Sequence, residues 1–543
     1  MVFEIIERDL MGKIGRIKTK SGYIETPALL PVVNPLKLTI PPNELKANFK
    51  VPAIITNAYI LRKNCGESVI SRGVHEFLDF KGPIMTDSGA YQLLVYGAVD
   101  ITSEEIIRFQ ELINADICVF LDTPTGSGVN YKTARQTVDE TLRRARECIE
   151  IKSKEGVLWV GPIQGGEFID LVEESSRRMG ELPFDIYAIG SPTKFLEQYN
   201  YSKIVEMIAA AKRNLPLNKP VHLFGAGHPM VFPLAIALGC DIFDSASYAL
   251  YAEGDRYITS HGTRRLSELR DVICTCPVCA KHTPDELLQM GKNLRTKLLA
   301  EHNLHAILNE VNNIKCAIRE GRLWEYLELN SRSHPSLYEA FKLLKKYQAY
   351  LEKGTPTSKK RALLWLSDET VNRPEIKRHL ERLINTRIPW QPEVLILVAE
   401  PKNKPFNKSK LFNQLLNTII EKDVVLKNIQ IAILSKMFGL IPLEIEEYYP
   451  LSQHLTPTTI SETQLNLIKD NLIKCIEKNY FKKIILLNDE NQYGEALINL
   501  LLYMKSENKI SDFKVFTLNR SDRLAREDLL KLKTILTESV KEC

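Results

Sequence analysis

The sequence predicts an α/β protein: a (β/α)₈ barrel with a zinc-binding subdomain, followed by a smaller C-terminal α+β part. Three observations predict it. Eight short apolar runs recur over the first 250 residues, a polar or glycine-containing turn closes each run, and amphipathic helical stretches lie between several of them. Continuous apolar runs suit strands buried on both faces, as in a parallel sheet. Strand–helix alternation, eight times over about 250 residues, is what such a barrel requires. An open doubly wound sheet fits less well, because no G-x-G-x-x-G turn follows the first strand.

The runs are 25–33, 51–57, 82–86, 115–121, 156–163, 185–189, 220–224 and 240–243, with helices expected at 103–113, 132–154, 168–179, 201–212 and 231–238. A barrel of this kind carries its chemistry where strands end, at the C-terminal mouth. Just past the runs stand Asn57, Asp87, Asp122, Gln164, Gly190, Gly225 to His228, and Asp244. Each has a local explanation as a turn or helix-cap residue. Three carboxylates and a carboxamide converging on one rim point to a site. The barrel is expected over 1–265, a helical zinc-binding subdomain over 266–350, a linker at 351–361 and an extension over 362–543. The stretch 482–543 reads as strand, helix, strand, helix.

Composition bounds the class. With 44% hydrophobic and 26% charged residues, 26 Gly and 27 Pro, this is an ordinary globular chain, which excludes a disordered, collagenous or coiled-coil protein. No apolar stretch reaches the ~18 residues of a spanning helix, and the acid-containing N-terminus lacks the features of an export signal. A cytoplasmic protein without a membrane partner is expected. Residues 1–350 hold 42 basic and 42 acidic residues, so the net charge of +5 sits entirely in 351–543. That bias suits either a solvated surface or a polyanion-binding face.

Ten cysteines without an export signal argue against a disulfide framework. Seven are scattered and suit a buried core. Cys274, Cys276 and Cys279 form C-x-C-x₂-C, a knuckle whose thiolates can converge on one Zn²⁺. A structural site needs a fourth nitrogen or sulfur ligand. A helix over 284–300 would return His302 to the knuckle; His305 is the next choice, and His282 is too near to reach without doubling back. A closed Cys₃His site leaves no position open for substrate, so this zinc is structural rather than hydrolytic.

Taken together, DSGAYQ (87–92), LDTPT (121–125), GPIQGG (161–166), AIGSP (188–192), HLFGAGHP (222–229), FDSASYALYAEGDRY (243–257) and CTCPVC…EHNL (274–279, 301–304) resemble the tRNA-guanine transglycosylases, in order and spacing, over residues 1 to about 340. The string after Asp244 and the long C-terminal extension resemble the archaeal, archaeosine-forming branch. The resemblance implies that a tRNA D-loop guanine (position 15) is exchanged for 7-cyano-7-deazaguanine without strand cleavage. It implies Asp244 as nucleophile on C1′ and Asp87 as general acid/base, with retention through two displacements. It also implies Asp122, Gln164 and a backbone N–H near Gly190 as readers of the guanine edge, with Tyr91 as an aromatic cover.

The target nucleotide must leave its stack to reach such a pocket, and the basic excess of 351–543 is the expected grip on phosphates, with Arg264, Arg265 and Arg270 as further candidates. Many archaeal relatives end in an RNA-binding PUA domain, and no such pattern is visible here. A separate PUA-domain protein or a homodimer would then supply additional tRNA affinity. A non-catalytic tRNA-binding paralogue is the alternative, but it would need neither Asp87 nor Asp244. The amidine-forming synthase of the same fold would need a nucleophilic cysteine motif, and none stands outside the zinc cluster.

Overall fold

A computed structural model describes residues 2–90, 101–385, 392–420, 428–479, 481–488, 493, 495–517 and 524–541. The chain divides into two compact units, Met1–Thr355 and Pro356–Cys543.

The first unit begins with an antiparallel sheet of β1 (Phe3–Asp9), β2 (Gly12–Thr19) and β3 (Gly22–Thr26). A buried ion pair, Lys13 Nζ to Asp241 at 3.0 Å, ties this sheet to the foot of the barrel. Eight parallel strands then close on themselves: β4 (Ala28–Val33), β5 (Ile54–Asn57), β6 (Ile84–Asp87), β7 (Ile117–Val119), β8 (Leu158–Ile163), β9 (Ile186–Ile189), β10 (Val221–Leu223) and β11 (Ile242–Ser245). Spatial order follows chain order, and β11 closes against β4 with Asp244 opposite Leu30. Each strand falls within or against one of the eight apolar runs. β7, β8 and β9 are buried along their whole length, which is why they read as continuous apolar sequence rather than alternation.

Helices stand at all five expected places: Ser103–Leu112, Tyr131–Ile151, Ile169–Gly180, Tyr201–Asn214 and Phe232–Ala237. Their starts follow local chemistry. Thr102 and Glu105 form a reciprocal capping box, and Asn130 and Asn200 each accept a backbone N–H in the first turn.

After the barrel comes a hairpin, β12 (Arg256–Thr259) with β13 (Gly262–Arg265), and then a helical layer. The helix expected over 284–300 breaks at Met290–Gly291 into Pro284–Gln289 and the long Lys292–Glu320, which carries His302. The expected linker 351–361 is different. Helix Gln348–Gly354 packs into the barrel unit: Tyr350 and Leu351 are buried, and the Tyr350 hydroxyl donates to Leu238 O at 2.8 Å. The backbone of Gly354 lies so close to Leu10 O that no side chain fits there.

The second unit is a three-layer α/β structure. Val394–Ala399 is central, flanked by parallel Ile429–Ser435 on one side and by Lys483–Asn488 and Asp512–Thr517 on the other; Gly439–Pro442 runs antiparallel at one edge. Alternate residues of the central strand enter two separate cores, Val394, Ile396 and Val398 on one face and Leu395, Leu397 and Ala399 on the other. The last two strands and helices Ala496–Ser506 and Arg526–Lys541 correspond to the alternation read in 482–543. Among the described residues no helix is long and apolar enough to cross a membrane.

Candidate active site

The loops after the barrel strands surround one cavity of about 1260 Å³, and Asn57, Asp87, Asp122, Gln164, Gly190, Gly225 and Asp244 all line it. Asp87 ends β6, opposite Asn57 at the end of β5. The Asn57 carboxamide donates to Asp87 Oδ2 at 3.2 Å while its oxygen caps the following helix by accepting from Ile60 N. Burial, and then the neighbouring carboxylates of Asp122 and Asp244, push the Asp87 carboxyl up to about 7.

Asp244 sits near the end of β11, and its Oδ1 accepts two hydrogen bonds, from His222 Nε2 at 2.8 Å and from Gly225 N at 2.9 Å. Gly225 has φ +65°, a conformation that favours glycine, and that turn aims its N–H at the carboxylate. His222 is fully buried and packs edge-on against Phe224; its Nδ1 has no hydrogen-bond partner among the described residues. Asp244 Oδ2 accepts no hydrogen bond from the described residues.

Asp122 and Gln164 form a second cluster. Gln164 Nε2 donates to Asp122 Oδ2 at 2.6 Å, and Gln164 Oε1 accepts from Thr125 N and Ser191 Oγ, each at 2.9 Å. These partners orient the amide, leaving one N–H of Nε2 uncommitted among the described residues. Burial raises the Asp122 carboxyl to about 6, against the opposing effect of the Gln164 bond. Gly190 packs so closely on Gln164 that a Cβ there would overlap Nε2. Its own N–H is committed to Ile163 O at 2.9 Å. The backbone donor beside it belongs to Ser191, a non-glycine residue at φ 62°.

Cys274, Cys276, Cys279 and His302 bring four ligand atoms within 4.8 Å of one another and could hold a metal ion. His302 Nδ1 lies 3.5 Å from Cys276 Sγ and 3.3 Å from Cys279 Sγ. Bonds of 2.0–2.3 Å in a tetrahedron put ligand atoms about 3.5–3.8 Å apart, so the donor set fits. His302 Nε2 contacts Ile258 O at 2.9 Å, the outer hydrogen bond that commonly fixes a ligating imidazole. Its ring stacks on Tyr257 at 3.6 Å. His305 packs instead against Phe49.

A family profile described as queuine tRNA-ribosyltransferase matches residues 9–336. The chain belongs to this family. A second profile, a domain of unknown function (DUF5591), matches residues 376–536. Proteins named tRNA-guanine(15) transglycosylase are similar over most of the chain. That of Methanocaldococcus jannaschii is 41% identical over 505 residues, covering 89% of this chain and 75% of the relative. That of Saccharolobus solfataricus is 42% identical over 500 residues, covering 90% and 97%. That of Methanobrevibacter smithii is 38% identical over 541 residues, covering 98% and 78%.

Within this transglycosylase fold, Asp87, Asp122, Gln164, Gly190 and Asp244 meet in one cavity, and the three cysteines meet His302. Tyr91 lies outside the described residues. Sequence reasoning gave no separate role to His222 or Arg256. The signal for His222 is a polar ring inside an otherwise apolar strand; Arg256 lines the cavity from the hairpin.

Proposed function

We propose that this enzyme exchanges a guanine of tRNA, at D-loop position 15 as in the names of its relatives, for 7-cyano-7-deazaguanine through a covalent ribosyl–aspartate. The observation carrying this reading is that Asp87 and Asp244 line one cavity, one with its carboxyl raised toward neutrality and the other with an uncommitted oxygen.

In the first displacement Asp244 Oδ2 attacks C1′, the C1′–N9 bond breaks, and its electron pair leaves with guanine, which takes a proton from Asp87. In the second, Asp87 removes a proton from the incoming base, whose N9 attacks C1′ and expels the carboxylate. Two inversions restore the configuration. Asp122 accepts from guanine N1 and N2, while the uncommitted N–H of Gln164 and the Ser191 N–H donate to O6. Adenine would leave these buried groups unpaired, at a cost of ~10⁴ or more in selectivity. Tyr91 belongs to the same reading as the ring covering the base.

Cys274, Cys276, Cys279 and His302 would hold one Zn²⁺, which contributes folding free energy to this region when bound. Further tRNA affinity is assigned to the basic residues of 356–541, with a homodimer or a PUA-domain partner as additional sources. An enzyme with this substrate works in the cytoplasm.

The test is exchange of radiolabelled guanine into unmodified tRNA, with mapping of the exchanged position. Asp244→Asn is expected to lose both exchange and a denaturation-resistant tRNA adduct. An adduct persisting in that variant would refute the assignment.

A further inference from the structure

We infer that the β12–β13 hairpin is a phosphate-binding face, with Arg256 and Arg265 gripping the RNA backbone beside the nucleotide that enters the cavity. The inference rests on the tRNA-exchange reading and adds a subsite to it.

Six carboxylate residues line the cavity, Asp87, Asp122, Glu167, Glu197, Asp244 and Glu253, so its mouth repels a polyanion unless positive charge stands at the rim. Residues 1–350 carry no net excess of base, so local arrangement must supply that charge. Elsewhere in the barrel unit many arginines are engaged: Arg135 with Glu174, Arg144 with Glu140, Arg213 with Glu173 and Arg295 with Asp255. Arg256 and Arg265 form no ion pair among the described residues. The acids nearest Arg256 in sequence are already taken, Asp255 by Lys292 and Arg295 and Glu253 by Lys37.

Geometry suits a phosphate. Arg256 lines the cavity wall, and its guanidinium carbon lies 3.6 Å from the centroid of Tyr251, which lines the same wall. Stacking holds the guanidinium plane while its edge N–H groups stay available for bidentate binding of phosphate oxygens. Arg256 stands directly opposite Arg265 in the hairpin register, and both are exposed. Like charges at opposed positions of a strand pair destabilise it; a bound polyanion turns that repulsion into attraction. The hairpin is also held in place before any ligand arrives. Ile258 N donates to Asn303 Oδ1 at 2.8 Å, and Tyr257 stacks on His302. A fixed site loses less freedom on binding.

The experiment measures affinity of the full chain for an unmodified tRNA transcript over roughly 0.05–0.3 M KCl. Arg256→Gln and Arg265→Gln are each expected to weaken binding roughly ten-fold near 0.1 M salt and to lower the slope of log affinity against log salt by about one. Arg256→Lys keeps the charge and should keep the slope. Arg16→Gln, on the exposed face of β2, should change neither quantity. Thermal unfolding of each variant at the wild-type temperature confirms that the fold is intact. Wild-type affinity and slope in the Arg256→Gln/Arg265→Gln double variant overturn the phosphate-binding face and leave the tRNA reading standing. A wild-type protein that binds no tRNA overturns both.

Discussion

His222 Nε2 lies 2.8 Å from Asp244 Oδ1, on a strand whose other residues, Val221 and Leu223, are apolar. With Gly225 N on the same oxygen, this contact holds the carboxylate and leaves Oδ2 as the atom that attacks in the proposed mechanism. His222→Leu is expected to lower kcat for guanine exchange by about 10²-fold, as small misplacements of a reacting group do. His222→Gln, which can restore an N–H near the same point, should recover part of the rate. KM for tRNA should stay near wild type in both. Equal kcat in the wild type and His222→Leu would remove His222 as a positioning residue.

Asp87 should govern the alkaline limb of the reaction. Its carboxyl is raised to about 7, so the proton needed by the leaving guanine is lost as pH rises through that value. In the proposed mechanism ionised Asp122 accepts from guanine, and its carboxyl is raised to about 6, so activity should also fall below that value. Single-turnover guanine release should therefore peak narrowly between about 6 and 7, with limbs belonging to the coupled carboxylates together.

The same shift has a consequence for stability. A carboxyl raised in the folded state favours folding most when protonated in both states, and that advantage is lost as pH rises from the unfolded value toward about 7. Asp87→Asn should therefore raise Tm at pH 8 by roughly 2 °C or more, with little difference at pH 4. Thermal unfolding at the two pH values checks the sign.

Gly190→Ala should be more harmful than its size suggests. A methyl group there overlaps Gln164 Nε2 and displaces the amide from Asp122. A loss of about 10²-fold in kcat/KM for guanine is expected, with far-UV circular dichroism unchanged. Discrimination against adenine should narrow in parallel.

Elemental analysis should find one zinc per chain, and Cys276→Ala should lose it and unfold at a lower temperature, since the metal would tie the 274–279 cysteine knuckle to the helix carrying His302. Unchanged metal content in that variant counts against the site. A truncation meant to isolate the catalytic unit should end at Thr355, because Tyr350 and Leu351 belong to its core. That fragment should bind tRNA more weakly and with a shallower salt dependence than the full chain.

The barrel is legible in the sequence because its strands are largely buried, which turns each into a mostly apolar run followed by polar residues. The N-terminal sheet is not: β1 mixes Glu4, Glu7 and Arg8 with apolar residues, since much of its surface meets solvent. The central strands of the second unit carry as strong an apolar signal, VLILVA and IQIAILS, but a short apolar run alone does not distinguish strand from buried helix. Within the site, the carboxylates are legible because strand ends concentrate chemistry. The contact of His222 with Asp244 and the commitment of the Gly190 N–H to Ile163 depend on three-dimensional pairing across neighbouring strands, which no local pattern records.

Asp244 lies on the strand that closes the barrel, opposite Leu30 of the first. Asp87, Asp122 and Gln164 all precede it in the chain, so a nascent polypeptide emerging from the ribosome acquires the proposed base-reading groups before it acquires the proposed nucleophile. On the proposed mechanism, the ability to form an ester with RNA therefore arrives only with the last and longest-range seam of the barrel. A half-made chain would then be unable to capture its substrate covalently.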